Sequence, residues 1–490
     1  LYKAVSDGLI CQTEKNTYSE NQNSQSNVEF RFLHDKIQQA TYLLMSEKEQ
    51  QETHLLIARK LLDYYLGEEF LMEILNHYNH VINLLDNQSE KEILSELNLR
   101  AGQRLLKISV FDSAINHANI GLNLLTSNLW KSTHDLTFEL YMLKAEAEYL
   151  KANYDETDKI FELILTHCNA EDKGKVFYKK ITFYSFQVKN NKAIEIMLEG
   201  IALTGFKIPS SNIGKVFMLL RLLLLIRFSL KGKDISQLAD LPELSDKNKL
   251  LICNLMEGAV DSMVITGNKL LLGLSIAKMV YTGLKYGNNE RVVFSYMFFS
   301  IILQNKFHDF KSAKAFANLA MTLAEHKYYN PVLLVKVYTM SGVFSHRYNS
   351  LKTCMEFLKN AYDIAIHSGN PIFAVYDVTN ILPYLFISGV NLKDCLKEYK
   401  KYSTFLKSIN SLFQLKGMEV CFFYPFSILS ESNDINMDCF DKFDFKEKDI
   451  SQLQIALLNH TKLKMFYLIQ EHEKAIQICD KVYKSVSYNL

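Results

Sequence analysis

"LKAEAEYLKANYDETDKIFELIL", residues 143–165, is the stretch that decides the fold. Ala145 and Ala147 are small residues on a first helix, Tyr154 follows a short turn, and Thr157 and Phe161 stand one turn apart on a second helix. Small side chains let two antiparallel helices approach closely while aromatics fill the space beside them. That is the skeleton of a tetratricopeptide hairpin.

The pattern recurs along the chain. In "RAGQRLLKISVFDSAINHANIGLNLL", Gly102 stands twelve residues before Ala114, as Ala145 does before Thr157, with Phe111 at the turn and Ala118 and Gly121 beyond it. "NNKAIEIMLEGIAL" repeats the second helix with Ala193, Met197 and Gly200. Farther on come Phe310, Ala313, Ala317 and Ala320, then Gly342 twelve residues before Cys354, followed by Leu358 and Ala361. Two more hairpins centre on Cys395 and Ala475. Successive anchors lie 36 to 43 residues apart, wider than the consensus of about 34, so the array is degenerate. At Pro383 the close-approach position holds a proline, which is expected to kink its helix. A lone hairpin cannot bury its own apolar face, so neighbours stack into a solenoid with a concave surface.

Strand signals are almost confined to the first 33 residues. "GLICQT" and "VEFRFLH" alternate apolar and polar on either side of the polar tract "EKNTYSENQNSQSN". "LYKAVSD" before them and residues 35–45 after them supply helices, which is the outline of a winged helix. The fold class expected is all-α: a tetratricopeptide-like helical solenoid preceded by a small winged-helix segment with a β-hairpin. The expected organisation is a winged-helix end over 1–45, a helical connector over 46–95, a first half-array over 96–205, a crossover over 206–250 and a second half-array over 251–490. Within the crossover, "VFMLLRLLLLIRFSL" (216–230) is too short to span a bilayer and is interrupted by Arg221 and Arg227. It reads as a buried or interfacial helix, followed by a polar stretch that turns at Pro242.

Composition excludes several functions. Of 490 residues, 48% are apolar, ample for large cores, and a net charge of +1 leaves no overall electrostatic footprint for nucleic acid or anionic membrane. The helix after the wing, "DKIQQATYLLM", carries one Lys and no Arg, which argues against DNA. Eight cysteines, none paired at metal-ligand spacing, read as reduced thiols of a cytoplasmic protein. The chain begins at Leu1 without a signal-peptide pattern and reads as part of something longer. It holds no P-loop, zinc-protease helix, nucleophile elbow or kinase catalytic loop, so the chain is expected to have no catalytic residues, metal or cofactor of its own. His77 and His80 share a helix face, as two metal ligands would, but Asn76 and Asn79 flank them and no carboxylate or Cys completes the set. "VVFSYMFFSIIL" (292–303) could line a ligand groove, but such a helix is far more often core.

"FRFLHDKIQQATYLL" (30–44), "LNLRAGQRLL" (97–106), "LADLPELSDKNKL" (238–250) and "LFISGVNLKDCLKEYKKYSTFL" (385–406) together resemble, in order, one region of very large bacterial signalling kinases. That region follows the nucleotide-binding module of a STAND, AAA-type ATPase. A serine/threonine kinase precedes it in the family, and sensor domains and a histidine kinase follow. The resemblance covers about residues 1–410; "SESNDINMDCFDKFDFKEKD" beyond it reads as a loop peculiar to this chain. It implies a regulatory, protein-interaction region that couples partner or effector binding to nucleotide state and kinase output. It also implies ATP or ADP in a full-length ATP-binding protein kinase. The partner would be a protein or peptide, or the chain's own ATPase and kinase domains, with no nucleic acid and no membrane span. A small-molecule inducer sensor is the alternative. In the family, a His at the base of the winged helix, commonly in Met-His-Asp, contacts the ADP phosphate; His34 and Asp35 match that position, with Leu33 in place of Met. On residue chemistry alone, Asp35 would instead cap the helix while His34 packs on the wing.

Overall fold

A residue in the left-handed region closes hairpin after hairpin. In the computed structural model, Ser109, Ala152, Val188, Gly267, Gly389 and Gln470 have φ between 60° and 75°. The amide after each bonds to a carbonyl five residues back, as in Val110 to Leu105 (2.9 Å), Asn153 to Glu148 (3.0 Å) and Lys189 to Tyr184 (2.9 Å). This Schellman geometry satisfies the last carbonyls of the first helix and sends the chain back antiparallel. The structure describes residues 2–13, 29–64, 70–125, 129–369, 371–409, 415, 417–419, 452–468 and 470–489. The polar tract at 14–27, the loop at 430–449, Cys421 and Cys439 lie outside them.

Two compact units, 1–176 and 177–490, make up the chain. The first opens with α1 (Tyr2–Ser6), β1 (Ile10–Thr13), β2 (Glu29–Phe32) and α2 (Asp35–Leu44). The strands pair antiparallel with Ile10 opposite Phe32 and Thr13 opposite Glu29, forming the small hairpin that the alternation predicts. Then come α3 (Glu47–Tyr64), α4 (Leu71–Asn79), α5 (Gln88–Lys107), α6 (Phe111–Leu124), the short α7 (Leu129–Ser132), α8 (His134–Leu150) and α9 (Tyr154–His167). Helix α10 (Ala170–Phe186) carries the boundary. The second unit continues with α11 (Asn190–Ala202), α12 (Asn212–Ser229), α13 (Lys247–Gly258), α14 (Val260–Ile265), α15 (Lys269–Tyr286), α16 (Glu290–Ile302) and α17 (Phe310–His326). It ends with α18 (Pro331–Phe344), α19 (Leu351–His367), α20 (Pro371–Ile387), α21 (Leu392–Ser408), and helices Gln452–Leu468 and His472–Asn489. The protein is an all-α helical array with one small hairpin.

The anchors predicted from sequence are buried. Ala114, Ala118, Ala145, Ala193, Met197, Ala313, Ala320, Cys354, Leu358, Ala361 and Cys395 are each fully enclosed. They let apolar clusters form between neighbours, such as Leu99, Ala118, Leu122, Leu140 and Leu143 across α5, α6 and α8. Leu358, Val378, Ile381, Leu382, Tyr399 and Leu406 do the same across α19, α20 and α21. Most of residues 292–303 are core, with Val292, Val293, Tyr296 and Met297 buried, while Phe298 and Ile302 line a groove.

Pro383 lies inside α20, which continues from Pro371 to Ile387. The lost backbone hydrogen bond is offset by burying Val378, Ile381, Leu382 and Leu385 on the same helix. Tyr154 and Phe310, expected to plug hairpins, are each 39% exposed. Each is the first residue of a second helix, so it covers the turn from outside. The stretch after α12 is also more ordered than a polar crossover suggests. Asn288 is fully buried, and its amide donates to Pro242 and accepts through its carbonyl from Leu244, both at 2.8 Å. Its side chain bonds Leu238 and Tyr296.

Close approach differs in kind between hairpins. A Cβ placed on Gly102 would meet the Leu143 Cδ2 methyl at 2.5 Å, a group that can swing away, with the Ala114 carbonyl at 3.4 Å. A Cβ on Gly342 would collide with Leu358 and stand 3.0 Å from the Cys354 carbonyl oxygen, which is backbone. Gly342→Ala should therefore cost about 1 to 3 kcal/mol. Gly102→Ala should stay within about 1 kcal/mol of the parent, because alanine's helix propensity offsets the crowding. Thermal melts of the two variants check the order; equal costs would mean that the two crossings are equally compliant.

Candidate functional site

In the second unit the first helices of successive hairpins, α13, α16, α18 and α20, lie side by side and present one charged and aromatic row. Glu257 on α13 is its centre, with only 3% of its side chain exposed. Lys336 Nζ on α18 donates to its Oε1 at 2.5 Å, and the Arg291 guanidinium on α16 lies 3.7 Å from Oε2. Arg291 Nε donates to Asn254 Oδ1 at 3.3 Å and the guanidinium sits over the Tyr178 ring, 5.8 Å from its centroid. Lys336 likewise sits over Phe294, at 5.2 Å. Burial, and after it the Glu257 carboxylate, push the Tyr178 hydroxyl above its ordinary range. Tyr376 on α20 extends the row and is 55% exposed.

This arrangement crosslinks three hairpins and offers solvent two cations whose positions are fixed by a buried anion. Such a surface can recognise a polar or acidic segment of a partner without first ordering its own side chains. Nothing in linear sequence marks it, because its members are drawn from positions 178 to 376 and share no motif.

Asp377, next to Tyr376, faces inward. It is fully buried; Thr339 Oγ1 donates to its Oδ1 at 2.7 Å, and its Oδ2 has no partner. Burial pushes its carboxyl up to about 7, against the lowering effect of the Thr339 hydrogen bond.

The residues singled out from sequence lie in the first unit. His34 and Asp35 are both exposed. His34 has extended backbone, φ −141° and ψ 136°, and is itself the cap position of α2, with no side-chain cap hydrogen bond. Asp35 is the first helical residue, so it complements the helix dipole but does not cap. Most of the wing on which His34 would pack, residues 14–28, lies outside the described residues.

His77 and His80 meet a third histidine that sequence reasoning missed. His54 Nδ1 lies 2.7 Å from His77 Nδ1, and the His54 ring stacks on His80 with centroids 4.5 Å apart. The Tyr42 hydroxyl reaches His54 Nε2 at 3.1 Å, tying α2 to α3. One imidazole must donate and the other accept, so the His54–His77 pair cannot hold two full charges; burial holds both below the ordinary range. Among the described residues no three His, Cys, Asp or Glu side chains are placed to hold a metal ion. The described cysteines are free thiols, and no described helix is long and apolar enough to cross a membrane.

No protein-family model matches the chain. Over 438 residues it is 24% identical to the hybrid signal transduction histidine kinase G of Dictyostelium discoideum, a match covering 78% of this chain and 12% of that protein. The chain thus spans only a small part of the length of this relative. The similarity associates it with signalling kinases. The relative is not bacterial, so the bacterial source implied by the sequence resemblance gains no support, and neither do the STAND, AAA-type and winged-helix assignments.

Two outcomes follow from the buried charges. Lys336→Met should leave Glu257 enclosed with only the longer Arg291 contact and cost about 2 kcal/mol or more, while Lys336→Met with Glu257→Gln should recover much of that loss. A denaturation double-mutant cycle measures both, and additive losses would show that the pair is not coupled. At Asp377 the folded state retains a proton that the unfolded chain releases near pH 4. Its contribution is therefore fully present below about pH 4 and is lost as pH rises toward about 7. Asp377→Asn should flatten that decline and raise the melting temperature above pH 7 more than at pH 5, as read from melts across pH.

Proposed function

We propose that this chain is the regulatory and interaction region of a multidomain signal-transduction kinase. In this reading the helical array engages a protein or peptide, or the protein's own ATPase and kinase domains, and passes that state to the kinase output. The observation that carries it is the match itself: most of this chain corresponds to a limited portion of a hybrid signal transduction histidine kinase. The row of Arg291, Lys336 and Tyr376 on adjacent first helices supports it as a place for a partner. Catalysis then belongs to other parts of the full-length protein, with ATP or ADP bound there.

The finer proposal concerns the hairpin and α2. As the base of a winged helix on a STAND-type ATPase, His34 would donate to a phosphate oxygen of ADP and Asp35 would support the start of α2. The exposure of both side chains leaves them accessible to such a ligand. A second reading, that a small effector binds the array, is favoured by one groove. Leu219, Leu223, Leu272, Phe298 and Ile302 line a space of about 280 Å³, near the lower end of small-ligand pockets; stabilisation by a metabolite panel would favour it.

In the full-length protein, Tyr376→Ala should change phosphotransfer output severalfold while ATP binding at the kinase is unaltered. Output indistinguishable from the parent would remove the interaction reading. His34→Ala should speed ADP release about tenfold to a hundredfold, and unchanged release would remove the latch.

A further inference from the structure

Helix α12, too short and too charged to span a bilayer, is half packed and half bare. Leu222 and Ile226 are buried, 6% and 3% exposed, on the side toward α15. On the opposite side Ile213, Phe217, Leu220, Leu224 and Phe228 are 72, 69, 51, 56 and 70% exposed. Their spacing of three and four residues sets them in one stripe along the helix. Scattered apolar residues are ordinary on a protein surface, but five large ones in a continuous line mark a contact face.

Local charge indicates what that face meets. No carboxylate occurs between Glu199 and Asp234, whereas Lys207, Lys215, Arg221, Arg227, Lys231 and Lys233 all fall there. Against a whole-chain charge of +1, this is a local concentration of positive charge. At 3.6 residues per turn Arg221 borders the apolar stripe on one side and Arg227 on the other, and both are exposed, as are Lys231 and Lys233 just beyond the helix. Long cationic side chains flanking an apolar stripe can reach up to anionic headgroups while the stripe enters the acyl region. A second copy would bring arginines against arginines. An acidic protein would need carboxylates on both sides of an apolar groove at matching separation, whereas an anionic bilayer offers that chemistry in every orientation.

We infer that α12 docks the protein on an anionic phospholipid surface. Its axis lies in the membrane plane, Phe217 and Phe228 enter the acyl boundary, and Arg221 and Arg227 contact headgroup phosphates. The docking surface does not depend on the identity of the array's partner.

Flotation of the whole chain with phosphatidylcholine vesicles, and with vesicles enriched in phosphatidylserine, tests this. Binding should require the anionic lipid and weaken with salt. Phe217→Glu with Phe228→Glu, and separately Arg221→Gln with Arg227→Gln, should each reduce partition about tenfold or more. Melting temperatures should not move, because all four side chains are exposed. Absence of flotation with anionic vesicles at low salt would overturn the proposal, as would flotation that both double variants retain or equal binding to neutral vesicles. A concentration-dependent dimer that the phenylalanine variants abolish, without vesicle binding, would equally overturn it and assign the stripe to a second copy.

Discussion

The bond to a carbonyl five positions back from the amide that follows Ser109, Ala152, Val188, Gly267, Gly389 and Gln470 is the constraint on which this fold rests. It ends one helix, satisfies carbonyls that would otherwise be left at its last turn, and launches the next helix antiparallel. Antiparallel neighbours then need small residues where they cross, and Gly102, Ala145 and Gly342 meet that need. The turn tolerates residues other than glycine: Val188 holds φ 60° although it is β-branched. Such strain persists only where the packing of both helices over-determines the turn.

Repetition of the hairpin has a chemical consequence. Stacking brings the first helices of separate hairpins side by side, so residues far apart in sequence share one surface. Glu257 is enclosed between Arg291 and Lys336 because three such helices converge on it. A buried charge paired in this way adds little net stability, but it holds both cations in fixed positions on the accessible face. The polar core at Asp377 and Thr339 belongs to the same row of helices, one layer deeper. There the cost of enclosing a carboxyl appears as a raised proton affinity.

Helix α12 departs from this regularity. It lies where the hairpin pattern is interrupted: after the left-handed Gly232 the chain runs into a stretch that the buried Asn288 holds. One side of α12 joins the core and the other does not. Among the described residues no further helix covers Phe217, Leu224 and Phe228, so the helix presents both an internal and an external apolar face.

Much of the fold was legible in the residues themselves. The twelve-residue offset from Gly102 to Ala114, from Ala145 to Thr157 and from Gly342 to Cys354 is a local property of two helices and a turn. Hairpin packing could therefore be read from sequence. The β-hairpin was equally local, since alternation on either side of a polar tract marks two strands and the faces of their residues. The continuity of α20 through Pro383 was not legible, because propensity acts on one helix while burial of its neighbours acts across three. The role of His34 and Asp35 was not legible: a cap depends on backbone geometry at one residue, and the structure puts His34, without a side-chain bond, where Asp35 was expected. The contact of His54 with His77 and His80, the enclosure of Glu257 and the two-sided character of α12 were decided only by tertiary structure. Each depends on which helices become neighbours, and helix stacking sets that order through contacts between residues tens of positions apart.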